Sequence, residues 1–270
     1  MDLRKITESN REAWNQASLI HQKNRKLNLR EEFAKPGFST LDQIETEALM
    51  KIGLDGKAIA QLSCNNGRET LSLVNLGAES AVGFDISDEA IKEAKNLREV
   101  SGLNCKFVRT DVYDIGEEYF GKFDLVYISI GALCWLPDLA KFFELVSAIL
   151  KSDGQLFIYE AHPVLNMIAE TDESEFDSEN PFNVCCSYFK KEPWITTTGL
   201  DYIGGTKYDS KPSYSFSQPL GDILNGIISN GITIKSFTEY GHDISESFKH
   251  LEKDNKLPMS YILTGEKSAN

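Results

Sequence analysis

The sequence predicts a doubly wound α/β fold, in which a mostly parallel sheet carries helices on both faces. The main observation is an alternation, between residues 58 and 159, of short apolar runs with segments long enough to be crossover helices. Such an alternation builds a parallel sheet, because each helix buries its apolar side on a face of that sheet. The chain has 270 residues, 41% of them apolar, which is enough to bury one large core.

Residues 1–40 precede this alternation and are predicted to form a helical arm. Their apolar side chains recur at loosely helical spacing within polar sequence, and Pro36 and Gly37 close the segment. A second helical pattern begins at Leu41 and ends near Gly53. The core of the fold is therefore expected to begin at about residue 41.

Seven apolar runs are predicted as strands. They lie at residues 58–62, 81–84, 105–108, 123–128, 155–159, 232–237 and 260–264. Helices are predicted at residues 69–76, 88–100, 139–150 and 220–229. The third of these helices is expected to end in a left-handed cap at Gly154, because glycine adopts positive φ angles without strain.

The segment 163–219 interrupts the alternation and is too long for an ordinary loop. It contains an acidic run followed by several aromatic residues. We predict a cap with its own short strands over the site, although an acidic solvated loop followed by edge strands fits the pattern as well. The chain is thus divided into an arm at 1–40, a core at 41–162, the cap at 163–219 and the rest of the core at 220–270.

The composition narrows the function classes. The formal net charge is −13, which argues against binding to nucleic acid or to an anionic membrane surface. The five cysteines lack Cys-x-x-Cys spacing and the histidines lack ligand spacing, so reduced thiols and no metal site are expected. No apolar stretch approaches the ~18 residues of a membrane span and no signal core precedes the arm, so a soluble, cytoplasmic protein is expected.

The segment 59–70 is predicted to contain a ligand-binding turn. It combines a strand, a turn of small residues and the start of a helix, and this arrangement presents backbone N–H groups to a ligand. Asp85 ends the next strand about 18 residues after Gly67, near the spacing at which an acid receives ribose hydroxyls. A purely structural turn and a helix N-cap are the respective alternatives, but together the two features favour an adenosine-containing ligand.

Two further strands end in candidate site residues. Asp111 follows the third strand and is placed to accept a hydrogen bond from an adenine amino group, while Val112 packs on the ring; a solvent-exposed turn acid is the alternative. Trp135 follows the fourth strand at the rim of the expected cleft, although a tryptophan is more often a core anchor.

His162 follows the fifth strand and is the candidate catalytic residue. A histidine at this edge of the sheet has the chemistry of a general base for an acceptor that must lose a proton. The alternatives are a structural bond to the backbone of the cap or to Glu160.

Three motifs along this alternation resemble those of class I S-adenosylmethionine-dependent methyltransferases. They are LSCNNG at 62–67, GFDIS at 83–87 and FDLVY at 123–127. Two more, CWLPDL at 134–139 and EAHP at 160–163, are similar to a bacterial subgroup of that class whose substrate is unassigned. The resemblance implies a Rossmann-like sheet of seven strands with the last antiparallel, S-adenosyl-L-methionine as cofactor, and methyl transfer to an unidentified small molecule.

The resemblance also implies which residues contact the cofactor. The matching positions are Trp14, Ser63, Cys64, Asn65, Gly67, Thr70, Asp85, Ile86, Asp111, Val112, Ser129 and Ile130. The sequence departs from the family pattern at Gln61, which replaces the usual acid, and at Ser63 and Asn65, which replace glycines. These changes narrow the cleft and leave the amino group of the cofactor without a charged partner at position 61.

Two other classes of protein remain as alternatives. One is a protein that binds S-adenosylmethionine or S-adenosylhomocysteine without catalysis, which the altered turn would suit. The other is a nicotinamide-dependent oxidoreductase. This class is disfavoured, because the motif G-x-G-x-x-G is absent. Without those glycines, the turn cannot approach the pyrophosphate of a dinucleotide closely.

Overall fold

The computed structural model describes residues 2–268, so the first residue of the predicted arm and the last two of the predicted core lie outside it. In chain order its strands are β1 Ala58–Leu62, β2 Ser80–Asp85, β3 Cys105–Arg109, β4 Phe123–Ile128, β5 Leu150–Ala161, β6 Trp194–Thr196, β7 Ser213–Ser215, β8 Ile232–Tyr240 and β9 Ser260–Lys267. Seven of them form one sheet in the order β3-β2-β1-β4-β5-β9-β8. Strand β9 is antiparallel to β5 and β8, and the other pairings in this sheet are parallel. The predicted Rossmann-like sheet with its last strand antiparallel is confirmed.

The helices are α1 Leu3–Asn24, α2 Leu29–Phe33, α3 Gln43–Ile52, α4 Arg68–Asn75, α5 Asp88–Ser101, α6 Leu139–Ile149 and α7 Leu220–Ser229. Several helices are preceded by a polar residue whose side chain accepts a hydrogen bond from the first turn. The side chain of Asp42 accepts from the N–H of Glu45 in α3, and that of Ser87 accepts from the N–H of Ala90 in α5. Helix α5 ends at Gly102, which adopts a φ of +66°.

The helices cover the sheet on both faces, as a doubly wound fold requires. One buried cluster packs α2, α3, α4 and α5 against one face, through residues such as Leu49, Leu71 and Ile91. A second cluster packs α6 and α7 against the other face, through residues such as Phe142 and Ile223. Because the central strands are buried from both sides, their sequences are nearly continuous apolar runs, which is why the pattern predicted them.

The predicted left-handed cap at Gly154 is wrong. Helix α6 ends at Ile149 and β5 begins at once, while Asp153 takes the left-handed conformation with a φ of +62°. Gly154 is needed for a different reason, since a Cβ there would lie 2.9 Å from the carbonyl oxygen of Lys151. The glycine therefore permits a close backbone approach inside an irregular start of the strand.

Residues 163–219 follow β5 and carry little regular structure. They contain a 3-10 helix at Pro163–Met167 and the antiparallel hairpin of β6 and β7. Helix α1 is attached to this segment: the side-chain amide of Asn10 donates to the carbonyl of Tyr214 (2.9 Å) and accepts from its N–H (2.7 Å).

Between residues 2 and 268 we find no helix long and apolar enough to cross a membrane.

Candidate functional site

The carboxyl ends of β1, β2, β3 and β4 meet at one edge of the sheet, where open α/β sheets bind ligands. The loops at these ends are bonded to each other. The N–H of Asn65 donates to the carboxylate of Asp85 (2.7 Å), and the N–H of Thr110 donates to the carbonyl of Asp85 (2.8 Å). The amide nitrogen of Gln61 donates to the hydroxyl of Ser129 (3.2 Å). The structure therefore brings the predicted residues of all four strand ends into one connected rim.

The turn after β1 keeps a conformation that normally favours glycine. Ser63, Asn65 and Gly67 have φ angles of +55°, +49° and +73°, all in the left-handed region. A left-handed conformation costs a residue with a Cβ roughly 1–2 kcal/mol, and such strain concentrates at functional sites. At Gly67 a side chain is also excluded by packing, because a Cβ would lie 2.3 Å from the ring of Phe107. The turn thus holds two residues with side chains, Ser63 and Asn65, in the left-handed region.

Asp85 ends β2 beside this turn and is 9% exposed. One carboxylate oxygen accepts from the N–H of Asn65 and the other from the N–H of Ser87 (2.8 Å). Burial raises the pKa of Asp85, and these backbone N–H groups oppose the rise. A carboxylate offers about four acceptor positions, so Asp85 can still receive two hydroxyl groups of a ligand.

Two of the predicted contacts lie beneath the cleft instead of lining it. Thr70 is fully buried, and its hydroxyl donates to the side-chain oxygen of Gln61. The thiol of Cys64 is fully buried against Gly83, where a Cβ would lie 2.7 Å from the sulfur. Any contact of Thr70 or Cys64 with a cofactor therefore stays a prediction, and in the structure both side chains pack beneath the turn.

The other predicted contacts lie at the rim. Asp111 follows β3 and is 9% exposed; it accepts from the N–H of Tyr113 (3.1 Å), so it caps the short helix that begins at Val112. Ile86 and Ile130 are half-buried, next to Asp85 and Ser129 respectively.

Sequence reasoning missed a charged pair at the start of α4. The Nε atom of Arg68 lies 2.6 Å from a carboxylate oxygen of Glu69, and the side chains are 39% and 15% exposed. Burial raises the pKa of Cys64 and of Tyr127, and the charge of Glu69 adds to both rises; Glu69 also raises the pKa of Arg68. The pair therefore lies beside the turn and the end of β4. The signal in the sequence was two adjacent charges directly after Gly67.

Aromatic side chains from three separate segments pack together over this rim. The ring of Trp14, on α1, packs edge to face on Trp135 with 5.2 Å between centroids. Tyr202 lies 6.4 Å from Trp14 and 4.4 Å from the ring of His21. We call these four residues the aromatic roof. Tyr202 is 65% exposed despite these contacts, so its ring borders open space instead of closing the core.

His162 makes a hydrogen bond at one ring nitrogen and faces a carboxylate with the other. Its Nδ1 accepts from the N–H of Val164 (3.1 Å), so the ring proton is on Nε2, which lies 3.1 Å from a carboxylate oxygen of Glu239 without an aligned hydrogen bond. Burial lowers the pKa of His162, and Glu239 partly offsets this. The imidazole as placed therefore has no free lone pair with which to accept a proton.

A cavity of about 190 Å³ adjoins the end of β4. It lies between the loop after β4, the end of β5, the cap and the loop that follows β8. Its wall includes Ile130, Gly131, Leu133, Cys134, Glu160, Ala161, His162, Pro163, Leu165, Asn166, Glu170, Phe216, Gln218, Ile223, Ser245, Ser247, Phe248 and Tyr261. The cavity is thus mostly apolar with a few polar groups, which is typical of a small-molecule site.

Glu160 holds the loop that separates this cavity from the rim. Its carboxylate accepts from the N–H groups of Gly131 (2.8 Å), Ala132 (2.7 Å) and Leu133 (2.9 Å). Burial raises the pKa of Glu160 to about 7 against the effect of these donors. The residue fixes the loop that carries Trp135.

Within residues 2–268, no group of three or more His, Cys, Asp or Glu side chains could hold a metal ion.

Comparison with known proteins agrees with this geometry. Residues 59–154 match the family model of a methyltransferase domain. The chain is 26% identical over 153 residues to the ribosomal protein L11 methyltransferase of Neisseria meningitidis, a match that covers 57% of this chain and 45% of that protein. It is 27% identical over 107 residues to the tRNA U34 carboxymethyltransferase of Campylobacter concisus, covering 40% and 36%. The chain thus spans less than half the length of these curated relatives.

A solved structure shows the same fold. The S-adenosylmethionine dependent methyltransferase from Mesorhizobium loti superposes with a TM-score of 0.58 at 20% identity, covering 82% of this chain and 96% of that one. Together with the sheet order, this likeness shows the fold. Residues 59–154 match a methyltransferase domain, and the chain has the fold of S-adenosylmethionine-dependent methyltransferases.

Proposed function

We propose that the protein transfers a methyl group from S-adenosylmethionine to a small molecule. The observation that carries the proposal is the turn after β1, whose strained backbone at Ser63 and Asn65 is kept beside Asp85 and below the aromatic roof. A turn that served only to connect β1 to α4 would not need left-handed residues with side chains. We propose that an adenosyl group with an amino-acid end binds between the turn and the roof.

The residues at the rim have distinct proposed roles. Asp85 receives the ribose hydroxyls on its two remaining acceptor positions, and Ile86 packs beside the ribose. Asp111 and Val112 hold the adenine, the former by a hydrogen bond and the latter by packing. When bound, the cofactor supplies an activated methyl group on a sulfonium, so orientation contributes most of the rate and few catalytic side chains are needed.

The Arg68–Glu69 pair fits the amino-acid end of the cofactor, which carries an ammonium and a carboxylate. Gln61 stands where an acid would serve, but its amide is already bonded to Thr70 and Ser129. Glu69 therefore supplies the negative charge for the ammonium, and the guanidinium of Arg68 binds the carboxylate. The pair replaces the charge that position 61 lacks.

A small acceptor is favoured over a macromolecule by charge and by enclosure. The two curated relatives are named for a ribosomal protein and for tRNA, but each matches only 153 or 107 residues of this chain. The net charge of −13 opposes the approach of RNA. Residues 163–219 also cover the edge of the sheet and help to enclose the cavity, which leaves room for a compact ligand.

Binding calorimetry tests the cofactor. We expect S-adenosylmethionine and S-adenosylhomocysteine to bind, NADH not to bind, and Asp85→Ala to raise both dissociation constants by about tenfold or more, since hydrogen bonds to a charged group contribute about 1.5–3 kcal/mol. Asp153→Ala, at an exposed position near the start of β5 and far from the rim, is the matched control. Binding that is lost in neither variant would refute the role of Asp85, and no binding by the wild-type protein would refute the proposed function.

The charged pair is tested with a ligand that lacks the amino-acid end. Glu69→Gln and Arg68→Met should each weaken S-adenosylhomocysteine about tenfold, which corresponds to about 1.4 kcal/mol, and leave the affinity for methylthioadenosine unchanged. An equal loss for both ligands would mean that the pair only supports the turn.

A non-catalytic binding protein is the second candidate, and the altered turn is the observation that favours it. Such a protein would bind S-adenosylhomocysteine but transfer no methyl group from labelled S-adenosylmethionine to any acceptor. Methyl transfer to one acceptor, abolished by Asp85→Ala, would exclude this candidate.

A further inference from the structure

The cavity next to the end of β4 has the features of an acceptor site. Ile130 and Gly131 belong both to its wall and to the loop after β4, and the preceding residue, Ser129, is bonded to Gln61 at the end of β1. Gly131 has a φ of +76°, and a Cβ built there would meet no atom within 4 Å. The cavity and the proposed cofactor cleft are therefore separated only by a backbone segment with open space beside it.

One buried polar atom of the wall, the hydroxyl of Tyr261, has no hydrogen-bond partner in the described part of the chain, and Nε2 of His162 has only the carboxylate of Glu239 beside it, 3.1 Å away. Tyr261 is fully buried and His162 is 6% exposed. A buried polar group without a partner costs about 1–3 kcal/mol, so native proteins seldom leave such a group unsatisfied. Both residues line the same cavity, and a ligand N–H group placed there would donate to the hydroxyl of Tyr261.

The charge of the wall selects among polar ligands. Its carboxylic acids are Glu160 and Glu170, and two further acids lie close by: Glu239 beside His162, and Asp243, whose charge adds to the rise that burial causes in the pKa of Glu170. Among the residues described, neither lysine nor arginine lines the cavity. A carboxylate, phosphate or thiolate would enter against this field, whereas an ammonium would be attracted by it.

The hydrogen bonds of His162 favour an amine over an alcohol as the methyl acceptor. An alcohol must lose its proton to a base as the new bond forms, but Nδ1 of His162 already accepts from Val164 and Nε2 carries the ring proton. An amine that has lost one proton to water before the transfer attacks through its own lone pair and needs no base in the wall. The side chains of Leu133, Leu165 and Ile223 limit the size of the apolar part of such an amine.

We propose that this cavity binds a small primary or secondary amine with a compact apolar body, and that the amine nitrogen is methylated. The inference rests on the proposed function. The bound ammonium releases one proton to water; the nitrogen lone pair then forms a bond to the methyl carbon while the carbon–sulfur bond breaks and its electron pair stays on sulfur. The products are the methylated ammonium, a neutral thioether and the released proton.

The test compares three acceptors that share one apolar body: phenethylamine, phenethyl alcohol and phenylacetate. With tritium-labelled S-adenosylmethionine, we expect a kcat/KM for the amine at least tenfold above those for the other two. The amine should also bind calorimetrically to protein loaded with S-adenosylhomocysteine. Tyr261→Phe removes only an unpartnered hydroxyl, so the fold should persist, the KM for the amine should rise severalfold and the affinity for S-adenosylhomocysteine should stay unchanged.

Tyr119→Phe is the matched control, because its hydroxyl bonds Lys106 at the opposite end of the sheet. Ile223→Trp, which fills the cavity, provides a second variant and should abolish amine binding while S-adenosylhomocysteine still binds. Preference for the alcohol or the carboxylate, failure of the loaded protein to bind the amine, or equal effects of Tyr261→Phe and Tyr119→Phe would each overturn the inference. Binding of S-adenosylhomocysteine by the wild-type protein in the same experiment shows that such a failure concerns the acceptor and not the proposed function.

Discussion

At the scale of single residues, strain at the turn after β1 can be measured. Ser63 has a φ of +55°, in the left-handed region. We expect Ser63→Gly to raise the free energy of unfolding in urea by up to about 1 kcal/mol, because glycine removes the steric cost but adds entropy to the unfolded chain. Ser147→Gly, inside α6, is the control and should lower it by about 1 kcal/mol. Equal losses in both variants would mean that Ser63 is not strained.

Glu45 is a second residue whose environment predicts a measurable effect. It is 5% exposed, accepts a hydrogen bond from the hydroxyl of Tyr127, and burial raises its pKa to about 8. Because the folded pKa exceeds the unfolded value of about 4.5, the native state binds more protons between these values. The contribution of Glu45 to stability is therefore complete below pH 4.5 and is lost as the pH rises to 8, by at most about 1.4 kcal/mol per pH unit.

Urea unfolding at pH 5.5, 7 and 8.5 tests this sign. Glu45→Gln keeps an acceptor for Tyr127 and cannot ionise, so its stability relative to the wild-type protein should increase with pH. Glu47→Gln, on the same helix but exposed, should show no such trend. A difference between Glu45→Gln and wild type that is independent of pH would contradict the raised pKa.

At the scale of elements, α1 joins the rim through its side chains. Asn15 accepts from the hydroxyl of Ser87 (2.8 Å) and donates to Asp88 (2.9 Å), so α1 is fixed to the start of α5 next to Trp14. We expect Trp14→Ala to raise the dissociation constant of S-adenosylhomocysteine about tenfold, since an aromatic pair contributes about 0.5–1.5 kcal/mol beyond the area it buries. Trp194→Ala, in β6, is the control for loss of an indole. If calorimetry shows that both variants bind S-adenosylhomocysteine equally well, Trp14 does not contact the cofactor.

The elements also show what the sequence could and could not predict. The strands from β1 to β5 were predicted because burial on both faces makes them apolar runs, and β1 and β4 have the predicted bounds. The rim was predictable in part, since Asp85 and Asp111 follow strands whose carboxyl ends must meet. Contacts made by isolated polar side chains follow no period, so the Arg68–Glu69 pair and the unpartnered hydroxyl of Tyr261 required three-dimensional coordinates.

At the scale of the whole molecule, α1 and residues 163–219 are joined by hydrogen bonds at several places. Asn10 bonds Tyr214, Nε2 of His21 bonds the carbonyl of Leu200 (2.8 Å), and Asn24 bonds Asp201 (2.6 Å). These partners are separated by 177 to 204 positions in the chain. Trp14 and Tyr202, one from each segment, contribute to the same aromatic roof. A ligand that orders one of these segments should therefore order the other.

Hydrogen exchange can detect this coupling. We expect S-adenosylhomocysteine to slow amide exchange in residues 3–24 and 197–208 together, because both segments carry side chains of the roof that the ligand would contact. Asn10→Ala breaks a pair of bonds between α1 and the cap without touching the roof, so ligand binding should then protect residues 3–24 more than residues 197–208. Asn230→Ala, at the end of α7, serves as the control and should leave protection equal. If the ligand protected α1 alone in the wild-type protein, the cap would not close over the cleft with it, and the cleft would be closed by the arm by itself.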